Sequence, residues 1–225
     1  RDSSTSRGLG DVYKRQLIYI ADPMCSWCYG FGPELNTLLA GLPDTQLELI
    51  VGGLRAYNKE VMDEKLKATL LHHWEKVAEV SGLPFAKDGL SHEGFIYDTE
   101  PACRAVVAAG MLAPDTALDV FHAIQHGFYA ENLDTTKGEV LADIAVSVFE
   151  KADINIDAAE FLKTWSSEEA RNATEADFTQ TKLWGVSGFP TLVLEKSGEL
   201  HLVTSGYTKT ETLIERLQEL IDQPA

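Results

Sequence analysis

Residues 17–31 read LIYIADPMCSWCYGF, and this stretch decides the fold. Its first five residues are apolar, β-branched or aromatic, which is typical of a buried strand. The Asp-Pro pair at 22–23 ends the strand, because proline has no N–H to donate to a sheet ladder. A helical apolar pattern follows over residues 32–39. The sequence therefore places Cys25 and Cys28 where a strand leads into the N-terminus of a helix.

Two thiols in this position suit thiol–disulfide exchange. The N-terminus of a helix stabilises negative charge, so the sequence predicts that Cys25 ionises readily. Cys28 lies three positions further along the helical turn, which brings the two sulfurs within reach of a disulfide bond.

The same pair of cysteines could also form half of a structural zinc site. Such a site needs four ligands, and no second CxxC motif or close Cys/His pair follows in the sequence. We therefore expect no metal at this site and favour the redox interpretation.

Composition and charge narrow the class of protein. The chain has 225 residues, of which 44% are hydrophobic, so it can bury a substantial core. Its formal net charge is −16, so the chain lacks the excess of positive charge that would neutralise nucleic-acid phosphates or bind an anionic membrane. The charge therefore argues against both kinds of partner. Three cysteines are too few for a disulfide framework in a chain of this size. No apolar run approaches the ~20 residues of a membrane span.

The first sixteen residues differ from the rest of the chain. Residues 1–10 are small and polar without any period, which is typical of disorder. Residues 11–16, DVYKRQ, can be back-translated into part of a transposon-derived sequencing adapter. We therefore predict that residues 1–16 are a non-native or disordered leader and that the native N-terminus is missing. Since no signal-peptide apolar region precedes Leu17, we expect a cytoplasmic protein.

Helical patterns separate two groups of predicted strands. Residues 46–51 form a second strand after the first helix, and helix follows helix from about 59 to 181. Residues 191–204 then form a hairpin, and residues 211–221 an amphipathic helix. The sequence predicts an α/β domain built from residues 17–58 and 183–225, with an all-helical domain inserted at 59–182.

A second motif lies at the start of the predicted hairpin. Residues 185–191 read GVSGFPT, so Pro190 begins a strand directly after a glycine-containing loop. This placement makes the Phe189–Pro190 bond a candidate cis peptide. An ordinary trans proline at a strand start is the alternative.

Taken together, these motifs resemble the DsbA-like branch of the thioredoxin superfamily. The matching stretches are residues 22–31, the loop at 185–190, residues 97–105 (YDTEPACRA) and residues 128–132 (FYAEN). Within that branch, the chain is similar to predicted protein-disulfide isomerases related to the FrnE proteins of polyketide clusters. The resemblance covers about residues 17–222. It implies a thioredoxin fold with an inserted helical domain, dithiol–disulfide exchange, and Pro190 as a cis-proline beside the active site.

The resemblance also assigns roles within the motif. Cys25, at the helix N-terminus and more exposed than Cys28, is the nucleophile, and Cys28 is the resolving thiol that breaks the mixed disulfide. Ser26 and Trp27 set the environment of the thiolate. Strongly oxidising periplasmic members have Pro-His at these two positions. Because Ser26 and Trp27 differ from that pair, the resemblance does not imply the same oxidising strength for this chain. The backbone beside Phe189 and Pro190 would align a substrate strand against the sulfurs.

Several residues outside the motif are weaker candidates. Phe128, Tyr129 and Trp27 could line an apolar substrate groove, although single aromatic residues are as often part of the core. Glu100 could contact substrate or tune Cys25, or it could merely complement a helix dipole. We interpret Cys103 as a small buried residue rather than an auxiliary redox thiol.

Two other functions share this architecture. Kappa-class glutathione transferases and related chromene-carboxylate isomerases place a serine where Cys25 stands. A non-catalytic adaptor would leave the cysteine pair inert. The intact motif favours an oxidoreductase acting on protein or small-molecule disulfides without a bound cofactor, with glutathione as a candidate redox partner. Oxidase, reductase and isomerase use the same two sulfurs, so the direction of exchange stays open.

Overall fold

A four-stranded mixed sheet lies at the centre of the protein. The computed structural model describes residues 15–43 and 45–223. The strands are β1 (Arg15–Ala21), β2 (Gln46–Val51), β3 (Thr191–Lys196) and β4 (Glu199–Ser205). Their order in the sheet is β2-β1-β3-β4, with β1 parallel to β2 and antiparallel to β3, and β3 antiparallel to β4.

The first strand begins two residues earlier than the sequence predicted. Gln16 pairs with Gln46 on one side and with Glu195 on the other, so it belongs to the sheet. The predicted leader over residues 1–16 was therefore wrong for its last two residues. Polar side chains hide the strand character there, because strand pairing depends on the backbone. Residues 1–14 lie outside the described part of the chain.

Eight α-helices accompany the sheet in the described part of the chain. They are α1 (Ser26–Ala40), α2 (Glu64–Ser81), α3 (Glu100–Leu112), α4 (Ala117–Tyr129), α5 (Gly138–Lys151), α6 (Ala158–Trp165), α7 (Glu168–Leu183) and α8 (Thr210–Asp222). A 3₁₀ turn over Pro114–Thr116 leads into α4. Helices α2 to α7 all lie between β2 and β3 in the sequence. This arrangement confirms the predicted α/β thioredoxin fold with a helical insertion.

Local side-chain caps explain where several inserted helices begin. Asp63 accepts a hydrogen bond from the Leu66 N–H at 2.7 Å, at the start of α2. Asp157 and Ser167 accept equivalent bonds at the starts of α6 and α7. Each cap satisfies one of the backbone N–H groups that a first helical turn leaves unpaired.

The two faces of the sheet are buried by different parts of the chain. Alternation along β1 sends Leu17 and Tyr19 to one face, and Ile18 and Ile20 to the other. The Ile18 face packs with Ile50 and Val193, against partly buried residues at the end of α7 and in the loop that follows.

The inserted helices and the sheet share one continuous core. Tyr19 on β1 is fully buried, and its ring centroid lies 5.9 Å from that of Phe31 on α1. The ring of Phe121 on α4 meets the same tyrosine edge-on at 5.8 Å. Because sheet, first helix and insertion pack around one ring, the insertion is attached by the core as well as by its two chain ends.

Helix α7 also contacts the β2 edge of the sheet through a carboxylate. Oδ2 of Asp177 accepts a hydrogen bond from the Val51 N–H at 3.1 Å. The pKa of Asp177 is raised to about 6, because burial and the nearby charge of Glu48 outweigh the opposing effect of the hydrogen bond from Val51. The contact therefore holds β2 to α7 with a carboxyl group that titrates near neutral pH.

Two glycines with left-handed backbone, Gly53 in the connection after β2 and Gly94 in the loop between α2 and α3, differ in their surroundings. Gly53 has a φ of +67°, and a Cβ atom added there would lie 2.8 Å from the ring of Phe178. Gly94 has the same φ of +67°, but a Cβ added there meets nothing within 4 Å. A side chain at either position would strain the backbone, but only at Gly53 would it also overlap a neighbouring side chain.

We expect Gly53→Ala to destabilise the protein more than Gly94→Ala. Backbone strain costs both variants about 1–2 kcal/mol. The overlap with the Phe178 ring costs Gly53→Ala a further ~1–3 kcal/mol. Urea denaturation followed by circular dichroism measures both changes, and equal losses of stability would contradict the packing described for Gly53.

We expect Asp177→Asn to remove a contribution to stability that falls as pH rises, so that the difference in stability between variant and wild type changes with pH. The folded state binds this proton more tightly than the unfolded state, because the folded pKa is raised from 3.8 to about 6. The contribution of Asp177 to stability therefore falls as pH rises from about 4 to about 6. Asparagine keeps an acceptor for the Val51 N–H but does not titrate. Urea denaturation from pH 4 to pH 7 tests this, and a constant difference between the two proteins would exclude it.

Candidate active site

Cys25 occupies the N-cap position of α1. Its φ of −97° and ψ of 118° are extended, and its N–H donates to the Asp22 carbonyl at 3.0 Å. The side chain makes no capping hydrogen bond, so the thiol stays free at the helix N-terminus. Its Sγ lies 3.7 Å from the carbonyl oxygen of Phe189. The side chain is 6% exposed, which leaves a small opening to solvent.

Cys28 lies in the first turn of α1 and is fully buried. Burial raises the pKa of its thiol well above the usual value, and the neighbouring Cys25 raises it further. Both cysteines are free thiols in this structure. The pair therefore combines one thiol with slight exposure to solvent and one that is held protonated in the interior.

The proline loop lies directly opposite Cys25. The Phe189–Pro190 peptide bond is cis, and Pro190 begins the approach to β3. Its carbonyl accepts the Gly206 N–H at 2.7 Å, which fixes the loop to the chain after β4. Phe189 is half-buried, and its ring fills the space over Gly52, where an added Cβ would lie 2.2 Å away.

A buried carboxylate beneath the motif holds three segments together. Asp22 accepts the Met24 N–H at 2.8 Å through Oδ1 and the Leu54 N–H at 2.6 Å through Oδ2. The thiol of Cys103 lies 3.5 Å from the same Oδ2. Burial raises the pKa of Asp22, while these hydrogen bonds and one from Thr99 act to lower it.

The loop after β2 is a part of the site that sequence reasoning missed. Arg55 donates its N–H to Oγ1 of Thr99 at 3.1 Å, and Tyr57 donates its N–H to Asp98 at 2.8 Å. The Tyr97 hydroxyl donates to the carbonyl of Met24, the residue before Cys25. The Gly-Gly pair at 52–53 was the available signal, because paired glycines after a strand permit a close approach of backbones.

The two residues between the cysteines lie at the edge of the site. Ser26 is the first residue of α1 and is half-buried. Trp27 is also half-buried, and its ring centroid lies 6.0 Å from that of Tyr207. Tyr207 in turn donates its hydroxyl proton to Glu34 on α1 at 3.0 Å. Trp27 is thus held against α1 on the side away from the inserted helices.

The predicted groove role of Phe128 and Tyr129 was wrong. Phe128 is 2% exposed and Tyr129 is fully buried, so neither lines an open groove. The end of α4 points into an aromatic cluster with Trp74, and the Tyr129 ring stacks on Tyr29 at 5.0 Å. Both residues support the first turns of α1 from within the core.

Glu100 is likewise occupied inside the protein. Its carboxylate pairs with Arg104 one helical turn along, at 2.8 Å, and both side chains are about nine-tenths buried. Arg104 also lies over the ring of Trp165 and donates to its carbonyl oxygen at 2.9 Å. The structure therefore gives Glu100 a buried ion pair rather than a place in a substrate groove. Sequence spacing alone does not reveal this distant aromatic partner.

The described residues contain neither a metal-binding cluster nor a helix that could cross a membrane. No group of three or more His, Cys, Asp or Glu side chains is arranged to hold a metal ion. No helix in that part of the chain is both long enough and apolar enough to cross a bilayer.

The geometry is that of a redox-active cysteine pair in a thioredoxin fold, and the sequence agrees with this class. Residues 16–218 match the model of the DSBA-like thioredoxin domain. The chain belongs to this DsbA-like family of thiol–disulfide oxidoreductases. The resemblance noted from the sequence is confirmed.

Solved structures agree with this assignment. A candidate protein disulfide isomerase from Nitrosomonas europaea is 36% identical, with a TM-score of 0.85 over 95% of this chain and 100% of its own. The cytosolic disulfide reductase DsbM from Pseudomonas aeruginosa is 24% identical, with a TM-score of 0.75 over 92% and 98% of the two chains. A structure of DsbM with glutathione is 23% identical and has a TM-score of 0.73, over 92% and 100%.

We expect iodoacetamide to label Cys25 first in the native protein. Cys28 and Cys103 are fully buried, and burial raises the pKa of both thiols. Peptide mass spectrometry after brief treatment at pH 7 should find one modified cysteine, and three after denaturation. Cys25→Ser should abolish the native labelling. Early modification of Cys28 or Cys103 in the folded protein would contradict the arrangement described.

Proposed function

We propose that this protein exchanges disulfides with protein or small thiol substrates through Cys25 and Cys28. One observation carries the proposal: the Cys25 sulfur stands at a helix N-terminus, 3.7 Å from the carbonyl that precedes the cis peptide bond to Pro190. A helix N-terminus favours the thiolate, which is the nucleophile in disulfide exchange.

The first step forms a mixed disulfide. The Cys25 thiolate attacks one sulfur of the substrate disulfide, so the new bond joins Cys25 to that sulfur and the substrate S–S bond breaks. The other substrate sulfur leaves as a thiolate and takes a proton from solvent. Because burial raises the pKa of Cys28, its thiol stays protonated and Cys25 is the sulfur that attacks.

The second step releases the substrate. Cys28 loses its proton and attacks Sγ of Cys25, which breaks the mixed disulfide and frees the second substrate thiol. Over both steps the cysteine pair is oxidised by two electrons and the substrate disulfide is reduced. The reverse sequence of steps would oxidise a dithiol substrate. No bound cofactor enters either direction.

The proline loop provides the surface for a peptide substrate. Pro190 has no N–H, so the backbone there cannot pair in place of a substrate strand. The carbonyl of Phe189 already faces Cys25, and a chain laid along the loop would bring its sulfur to the same place. In this proposal Phe189, Ser26 and Trp27 form the rim of the site.

We further propose a reducing compartment, the cytoplasm, with glutathione as redox partner. Ser26 and Trp27 carry no positive charge, so neither supplies the electrostatic stabilisation of the Cys25 thiolate that makes a dithiol strongly oxidising. A structural neighbour, DsbM, is described as a cytosolic disulfide reductase and has been solved with glutathione. In such a compartment the pair would reduce or isomerise disulfides.

We expect Cys25→Ala to abolish reduction of insulin, because the attacking sulfur is gone. Cys28→Ala should still react once with glutathione disulfide, releasing one glutathione thiol and retaining the other in a mixed disulfide with Cys25, since the resolving thiol is missing. Turbidity measures insulin reduction, and intact-protein mass spectrometry detects the adduct. Full activity of Cys25→Ala would refute the mechanism. A reduction potential near that of thioredoxin, about −270 mV, is expected, whereas about −120 mV would identify an oxidant.

A further inference from the structure

Arg55 carries a positive charge that neither the fold nor the proposed exchange uses. It lies in the loop after β2 and is half-buried. Its backbone is fixed, because its N–H donates to Thr99 and the preceding residue, Leu54, donates to the buried Asp22. The guanidinium carbon lies 5.4 Å from the centroid of the Tyr97 ring.

The guanidinium has no acidic partner in the described part of the chain. No carboxylate there approaches it within the 4.0 Å of an ion pair, and its N–H groups donate no hydrogen bond to the protein. The contrast with Arg104 is direct, since that side chain is paired with Glu100 and with a carbonyl oxygen. Within the described part of the chain the guanidinium donors of Arg55 are therefore unused, while its backbone is held in place.

Arg55 is linked to the segment that carries Cys25 through a single aromatic ring. The ring over which it sits belongs to Tyr97, whose hydroxyl donates to Met24, the residue before Cys25. Burial raises the pKa of Tyr97, the charges of Asp22 and Cys25 raise it further, and the guanidinium of Arg55 lowers it. The pKa of the Tyr97 hydroxyl is thus affected by both the Arg55 guanidinium and the Cys25 thiol.

We propose that Arg55 binds a carboxylate of the thiol or disulfide substrate, with glutathione as the reference compound. The planar guanidinium matches a carboxylate with two parallel hydrogen bonds. Glutathione carries a carboxylate at each end of a flexible tripeptide whose central residue bears the sulfur, so a carboxylate can bind a cation beside the site while the sulfur meets Cys25. The chain has a net charge of −16 and repels such an anion, which makes a local cation necessary. This inference rests on the proposed function.

The test compares a charged with a neutral disulfide. Stopped-flow measurements at low ionic strength give the rate constants of the reduced protein with glutathione disulfide and with hydroxyethyl disulfide. Arg55→Gln should slow the first reaction about tenfold and change the second less than about twofold. Arg55→Lys should recover part of the loss. Arg171→Gln, which removes the same charge at an exposed position near the start of α7, should change neither rate.

A binding measurement separates this proposal from the redox function. S-methylglutathione cannot exchange disulfides, and calorimetry should show that Arg55→Gln weakens its binding about tenfold. Equal slowing with both disulfides, or unchanged binding of S-methylglutathione, would overturn the role of Arg55. If the wild-type protein reduces neither disulfide but binds S-methylglutathione through Arg55, the proposed exchange fails and the carboxylate site stands.

Discussion

The buried carboxylate of Asp22 is the contact on which the site depends. An ionised group without solvent is costly unless hydrogen bonds replace the lost water. Here the backbones of Met24 and Leu54 supply those bonds, with the Cys103 thiol 3.5 Å away. The chain before Cys25, the loop after β2 and the start of α3 must therefore meet at one point. Loss of any one contact leaves the others facing a poorly solvated charge.

This convergence explains how distant residues form one site. The Cys25 sulfur and the Phe189 carbonyl are 164 positions apart in sequence and 3.7 Å apart in space. Gly52 connects them indirectly, because its N–H donates to Ala21 at 2.7 Å while its missing side chain leaves room for the Phe189 ring. The sulfur and the proline loop are thus positioned against the same short segment of backbone.

Local patterns predicted the sheet, the helix start and the proline loop, since each depends on a few neighbouring residues. Burial between distant segments could not be predicted in this way. The aromatic residues Phe128 and Tyr129 read equally well as a groove or as core, and only their packing against Trp74 and Tyr29 decides. Arg55 could not be singled out from the sequence, because its unpaired charge becomes evident only once the described part of the chain shows no carboxylate beside it.

The place where the insertion leaves the sheet has a further consequence. The end of β2 and the start of β3 lie at the same edge as the end of β1, which leads into Cys25. Both attachment points of the six inserted helices are therefore next to the reactive sulfur. The pairing of the strands does not depend on the helices inserted between those points. The residues that surround the Cys25 sulfur, in contrast, come partly from the insertion. In this architecture, changes in the insertion alter the surroundings of Cys25 while the strand pairing that positions the cysteine pair stays the same.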